Sequence, residues 1–285
     1  MGDDPIKTVD FGNTGRKVTR VGLGGEGVIR TTGKTRAAEA VIMAAIEEGI
    51  TYCDCARVYS DSERYYGGIW KAEPDTRASV FQASKSAKRD RKGAQNDLAE
   101  SLERLQVDHL DLWQIHDVRT DADLSRISGP GGALEAFLEA REAGKVRHIG
   151  VTGHHDPEIL TRAVLEWPVD AVMLPVNPVE ELLGGFLTKT LPAAREKGIA
   201  VIGMKIFGGG HYIAPHLGVT PELLLRYALG KQITVVIAGC STPAEVHELA
   251  EAGRKGAPLD KTELKALFAP FAENAKKLAY YRGVI

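Results

Sequence analysis

The feature that most constrains this chain is a rhythm: eight short apolar runs alternate with amphipathic segments, without a break in composition from first to last. The runs are VGLG (21–24), ITYCD (50–54), SVFQAS (79–84), HLDLWQI (109–115), VRHIGV (146–151), DAVML (170–174), IAVIGM (199–204) and ITVVIA (233–238). Helical periodicity fills 36–48, 62–71, 93–105, 132–143, 156–166, 185–197, 220–230 and 243–253. Strands that alternate with helices pair in parallel, because each crossover helix returns the chain to the same end of the sheet. Eight such units close a (β/α)8 TIM barrel, and 285 residues are enough to build one. Thr220 before Pro221 and Thr242 before Pro243 are helix starts, while Gly49, Gly144 and Gly198 are helix stops. Ahead of the first run, KTVDF, GNTG and KVTRVGL read as an N-terminal β-hairpin, with Asn and Gly at the turn. Residues 260–281 read as an extra C-terminal helix. No linker or low-complexity tract interrupts the pattern, so 1–285 reads as a single domain.

Charge and cysteine usage exclude several classes. The 36 basic and 38 acidic residues give a net charge of −2, so neither nucleic acid nor an anionic membrane surface is expected as a partner. The densest basic stretch, SKSAKRDRK (84–92), reads as a solvated loop. Three cysteines, Cys53, Cys55 and Cys240, make no disulfide framework and suit a reducing compartment. Cys53 and Cys55 alternate around Asp54 and are expected to pack beneath the barrel wall. The start, MGDDPIKT, lacks the basic and apolar regions of a secretory signal, and no apolar run reaches membrane-spanning length. The expected compartment is the cytoplasm.

One motif points to a different fold. Residues 22–27 read GLGGEG, a formal GxGxxG after a strand, with Asp54 ending the next strand, as in a Rossmann dinucleotide site. That fingerprint should open a helix directly, yet VIRTTGKT follows, so the barrel is the better reading. TTGKT imitates a Walker A ending, but its spacing back to Gly27 is one residue too long.

In a (β/α)8 barrel the chemistry sits where the strands end and the βα loops begin. Four ionisable residues fall there on adjacent strands: Asp54, Tyr59 five positions later, Lys85 and His116. Together they make a proton-delivery set. Reducing a carbonyl requires a hydride at carbon and a proton at oxygen. A tyrosine is a poor acid at neutral pH unless a cation beside it lowers its pKa. Lys85 is that cation, Asp54 holds it, and His116 orients the carbonyl oxygen. Nothing in this scheme calls for a metal. His154, His155 and Asp156 look like a ligand cluster, but adjacent loop histidines without HxH or HExxH spacing are a poor metal site.

The segments ITYCDCARVY, VFQASK and HLDLWQIHDV, with SERYYGG, KVRHIGVTG and VVIAGCSTPAE in the same order, resemble the aldo-keto reductases across nearly the whole chain. The resemblance implies a (β/α)8 barrel that uses NADPH or NADH to reduce aldehydes or ketones. It implies Tyr59 as general acid/base, Lys85 and Asp54 as its tuning pair, and His116 as the orienting residue. Gly24 and Gly25 fall beside the nicotinamide riboside, and Asp54 shares that region. Thr152 matches the hydroxyl that binds the carboxamide. Gly153, Met173 and Met204 replace the family's usual Asn, Gln and Tyr, with His154 and Asn177 as the possible substitutes. Lys205, Ile206, Phe207 and Gly208 fall at the pyrophosphate, and Gly239, Ser241, Thr242 and Glu245 at the adenosine end. Glu245 stands where NADPH-preferring members place Arg, so the two coenzymes come out nearly even, with family habit favouring NADPH. A small carbonyl compound is the expected partner, and nothing in the sequence sets an oligomeric state. The competing class is a regulatory subunit that keeps barrel and coenzyme but acts on another protein. Glu180 and Glu181 read as a solvated loop edge, and Trp113 as core. Trp70, Tyr280 and Tyr281 read as packing or pocket residues, and the short tail YYRGVI as leaving the site open.

Overall fold

The computed structural model describes residues 4–283. It opens with an antiparallel hairpin, β1 (Thr8–Asp10) and β2 (Lys17–Thr19), paired with Thr8 opposite Thr19. Eight parallel strands follow: β3 (Val21–Gly27), β4 (Tyr52–Asp54), β5 (Phe81–Ser86), β6 (Leu110–Ile115), β7 (Val146–Thr152), β8 (Ala171–Pro175), β9 (Ala200–Met204) and β10 (Val235–Cys240). They form a closed barrel in sequence order, with β10 pairing back onto β3. The expected (β/α)8 barrel is therefore what the chain builds, and the Rossmann alternative does not apply.

The surrounding helices are α1 (Thr35–Glu47), α2 (Ser62–Ala72), α3 (Pro74–Ser79), α4 (Arg91–Leu105), α5 (Asp121–Ser128), α6 (Ala133–Glu142) and α7 (Pro157–Glu166). The remainder are α8 (Pro178–Leu183), α9 (Leu191–Glu196), α10 (Pro221–Leu229), α11 (Pro243–Lys255), α12 (Lys261–Phe268) and α13 (Ala275–Leu278). Three differences from expectation have local causes. The third barrel strand runs to Ser86, so Lys85 lies within it and not after it. The helix expected over 185–197 starts late, because Gly184 and Gly185 take positive φ (70° and 91°) and a π-helical turn, Phe186–Thr190, precedes α9. The single C-terminal helix breaks into α12, a 3₁₀ stretch and α13, since Pro270 has no N–H to continue the α-helical ladder.

Strand periodicity sets the site. Side chains two apart share a face, and Tyr52, Phe81, Ala83, Leu112, Met173 and Ile202 fill the barrel interior as one cluster. Continuing the same parity to the strand ends aims Asp54, Lys85 and His116 inward as the next layer. The opposite parity of β5 faces the helices: Gln82 accepts from Trp70 Nε1 (3.0 Å), and Ser84 donates to Glu63 (2.7 Å). Trp113 stacks on Phe137 in the outer core (3.6 Å between centroids), while Cys53 and Cys55 are buried there, as expected.

The hairpin plugs the end of the barrel away from the strand termini. Phe11 is fully buried, its ring 4.6 Å from Phe81 and 6.2 Å from Tyr52 between centroids. The turn docks closely: Asn13 N donates to Gly198 O (3.1 Å), and a Cβ on Gly12 would lie 2.6 Å from Ala200 N. Phe11→Ala is expected to lower the free energy of unfolding by about 3–5 kcal/mol in chemical denaturation, because the plug leaves a cavity the barrel wall cannot close. A loss under about 1 kcal/mol would show that the hairpin does not complete the core.

Candidate active site

Lys85 has no exposed surface. Its ammonium donates to Asp54 Oδ2 (2.6 Å) and to the carbonyl of Cys55 (2.8 Å). A buried lysine without an anion would shed its proton. Here burial works against the charge, but Asp54 and Tyr59 outweigh it and hold the Lys85 pKa above its usual value. The ammonium also lies 4.8 Å from the centroid of the Tyr59 ring. Tyr59 leaves β4 on the loop before α2, and room for its ring comes from Gly25: a Cβ there would lie 2.8 Å from Tyr59 Cδ2 and Cε2.

Tyr59 OH meets His116 Nε2 at 3.3 Å, with the rings edge-to-face at 5.4 Å. Burial, then the cations Lys85, Arg89 and Arg30, drive the His116 pKa well below its usual value, so the imidazole is neutral. Its Nδ1 is buried without a protein partner, and so is Asp54 Oδ1. The four predicted residues thus converge. One expectation is modified: Lys85 does pull the Tyr59 pKa down, but burial outweighs it and the net shift is upward.

Sequence reasoning missed the residues that brace this set. Arg89 lies in the stretch read as a solvated loop, yet it donates to the carbonyls of His116 (2.7 Å) and Asp117 (2.6 Å) while pairing with Asp123 (2.9 Å). Asp117 is left-handed (φ 58°), and its amide donates to Thr152 Oγ1 (2.8 Å). A lone Arg in a basic run gives no sequence signal for such a role. Arg30, on the turn after β3, sits 4.6 Å over the Tyr59 ring and pairs with Glu26 (2.6 Å).

The residues expected at the coenzyme line one arc of the mouth. Thr152 and Met204 end β7 and β9, whereas Met173 lies mid-way along β8, buried inside the barrel core. Lys205 is half-buried with φ 56°, and among the described residues no carboxylate pairs with it; its ammonium is 5.4 Å from the Tyr281 ring. Ile206 and Phe207 lead to Gly208, where a Cβ would strike the Tyr212 ring at 2.5 Å. Gly239 ends the arc, and beyond it the carboxylate of Glu245 accepts from the amide of Ser241 (2.7 Å), while Thr242 Oγ1 caps the amide of Glu245 at the start of α11 (3.3 Å).

The tail corrects two expectations. Glu180 is fully buried, not a solvated edge, because α8 turns it inward to pair with Arg282 and accept from Tyr281 OH (2.8 Å). Nor does the tail leave the β7–β9 side of the mouth open. Asn177 donates to Tyr281 OH (2.9 Å) and Lys205 O (3.1 Å), and its Oδ1 accepts from Glu180 N (3.0 Å). His154 lies between Tyr281 O (3.2 Å) and Asp117 (3.4 Å). Asn177 and His154, the two possible substitutes for the family's amide contacts, are therefore occupied in holding the tail. Trp70 is packed, stacked on Tyr66 (5.7 Å).

A sequence profile of the Aldo/keto reductase family matches residues 20–214. This chain belongs to the aldo/keto reductase family. It is 28% identical over 286 residues to L-galactose dehydrogenase of Arabidopsis thaliana, covering 84% of this chain and 85% of that one. It is 35% identical over 154 residues to glyoxal reductase of Bacillus subtilis (strain 168), which covers 52% of each. Its fold matches the crystal structure of a Bombyx mori aldo-keto reductase in complex with NADP at a TM-score of 0.70 and 22% identity, covering 98% of this chain and 94% of that one. This chain is an enzyme of the family, an oxidoreductase, and no helix among its described residues is long and apolar enough to cross a membrane.

Removing one partner of a buried ion pair leaves the other charge stranded. Arg282→Met is therefore expected to free the tail of this aldo/keto reductase, raising hydrogen exchange at the amides of residues 282 and 283 by about tenfold or more. Unchanged exchange there would mean that the Glu180–Arg282 pair does not hold the tail.

Proposed function

We propose that this protein interconverts aldehydes or ketones and alcohols with a nicotinamide coenzyme, Tyr59 exchanging the proton. The observation that carries the reading is the contact of one phenol with both a buried, charged lysine and a neutral histidine. The names of relatives, a sugar dehydrogenase and an aldehyde reductase among them, agree with it.

The coenzyme fits the arc of residues from Thr152 to Glu245. Lys205 is an unpaired cation beside the glycine backbone of 208–210, a combination suited to a pyrophosphate. Thr152 accepts from Asp117 N and keeps its own hydroxyl proton to donate to a carboxamide. Gly24, Gly25 and Gly239 let Ala238, Tyr59 and Glu26 pack close against the backbone beside it, and Met204, partly exposed at the end of β9, offers apolar surface. When bound, the coenzyme supplies or accepts the hydride.

The chain's own groups handle the proton. In reduction, Tyr59 donates its hydroxyl proton to the carbonyl oxygen, and Lys85 stabilises the phenolate left behind. Asp54 keeps that ammonium charged and fixed. His116, being neutral, donates a hydrogen bond to the substrate oxygen without competing as an acid. In oxidation the phenolate form of Tyr59 takes the alcohol proton. At the adenosine end, Glu245 already places a carboxylate on the amide of Ser241, so a 2′-phosphate meets like charge there. NADH is therefore accepted at least as well as NADPH, despite the family habit.

Tyr59→Phe is expected to lower carbonyl reduction by about 10³-fold or more while coenzyme affinity, read by fluorescence titration, stays within about threefold. The same titration compares NADH with NADPH. Near-normal turnover in Tyr59→Phe would remove Tyr59 from the proton step, and coenzyme binding without turnover by the unmodified protein on any carbonyl would favour a regulatory role.

A further inference from the structure

Four consecutive positions at the end of β3 read Gly24, Gly25, Glu26, Gly27, and three of them cannot carry a side chain. A Cβ at Gly24 would lie 2.9 Å from the carbonyl carbon of Ala238, one at Gly25 would strike Tyr59 at 2.8 Å, and one at Gly27 would lie 2.4 Å from Cys240 O. Glu26 is the one side chain in the stretch. Space for it comes from across the strand pair, where a Cβ on Gly239 would lie 2.5 Å from Glu26 Cβ. The barrel wall therefore thins to backbone on both sides of a single carboxylate at the mouth.

That carboxylate is tied to the reacting centre through Arg30. Burial dominates the pKa shifts of Asp54, Tyr59, Lys205 and Tyr280, and the charge of Glu26 contributes to all four. Its partner Arg30 lies 4.6 Å over the Tyr59 ring, and its charge reaches both Tyr59 and His116. The two are joined by one contact, Arg30 Nη1 to Glu26 Oε1 (2.6 Å), and both side chains are about half exposed, at 47% and 56%. One carboxylate oxygen and the remaining guanidinium N–H groups have no other partner among the described residues. An exposed i,i+4 ion pair contributes little to stability. Beside the phenol, it offers an acceptor and a fork of donors within one substrate length of the reacting carbonyl.

We propose that Glu26 and Arg30 form a hydroxyl-reading pair that selects polyhydroxylated aldehydes over plain ones of the same carbon skeleton. Vicinal hydroxyls each donate and accept, so they can give a hydrogen bond to the free carboxylate oxygen and take one from the guanidinium. An unsubstituted chain leaves the second carboxylate oxygen and the remaining guanidinium N–H groups to be desolvated without partners. The inference rests on the carbonyl-reducing reading of Asp54, Tyr59, Lys85 and His116.

The test compares glyceraldehyde with propanal, which differ only in two hydroxyls, using the coenzyme that binds tighter. The intact enzyme is expected to favour glyceraldehyde in kcat/KM by about tenfold or more, and Glu26→Gln and Arg30→Met each to lower that ratio by about tenfold. A ratio near one in the intact enzyme, or a ratio that neither substitution moves, overturns the inference while leaving the catalytic reading in place. So does a rise in the coenzyme KM at an unchanged ratio, which would assign the pair to the coenzyme. Turnover of neither aldehyde overturns both.

Discussion

A lysine ammonium with no exposed surface, set between Asp54 and the carbonyl of Cys55, is the contact on which this site depends. Taking a lysine and a carboxylate out of water costs several kcal/mol per ion unless the geometry repays it. Such a pair is a poor way to stabilise a barrel. Its return is functional: a fixed positive charge 4.8 Å from the Tyr59 ring, in a medium that does not screen it. Burial keeps His116 neutral, and the same cation, with Arg89 and Arg30, reinforces it, so one field acts on both the phenol and the imidazole.

That placement follows from strand parity and from glycine. The inward alternation that stacks Tyr52, Phe81, Ala83 and Leu112 in the core delivers Asp54, Lys85 and His116 at its upper end, without a specialised loop. Tyr59 arrives from well along a loop, and it needs Gly25 on the neighbouring strand to lie flat against the mouth. The glycines that imitate a dinucleotide fingerprint are thus explained by close approach of β3 to β4 and β10. Substitution at Gly25 would push the phenol away from both Lys85 and His116.

Much of this was legible in the sequence, and the reason is local. Period-two apolar runs, capping Thr-Pro pairs and helix-stopping glycines are encoded within a few residues, so the eight units and the hairpin could be read directly. The tetrad was legible because Asp54, Lys85 and His116 fall at the ends of consecutive strands and Tyr59 on the loop that follows the first of them. Contacts made across the chain were not. Glu180 beside Glu181 has the composition of a loop edge, and its burial follows only from Arg282, about a hundred residues away. Arg89 looks like one more charge in SKSAKRDRK until the fold brings the His116 carbonyl to it. Pro270 did announce a break in the C-terminal helix, and the apolar periodicity around it masked the signal.

The central claim, that the buried charge of Lys85 sets the acidity of Tyr59, is tested most directly by the pH dependence of alcohol oxidation. Oxidation needs the phenolate, so its rate rises with pH through the Tyr59 pKa. In Lys85→Met the cation that opposes the burial of the phenol is gone, and the rising limb should move to higher pH, by about one unit or more. Lys85→Arg, which keeps the charge, should recover most of that displacement. A limb that stays at the same pH in Lys85→Met, with kcat merely scaled down, would contradict the account.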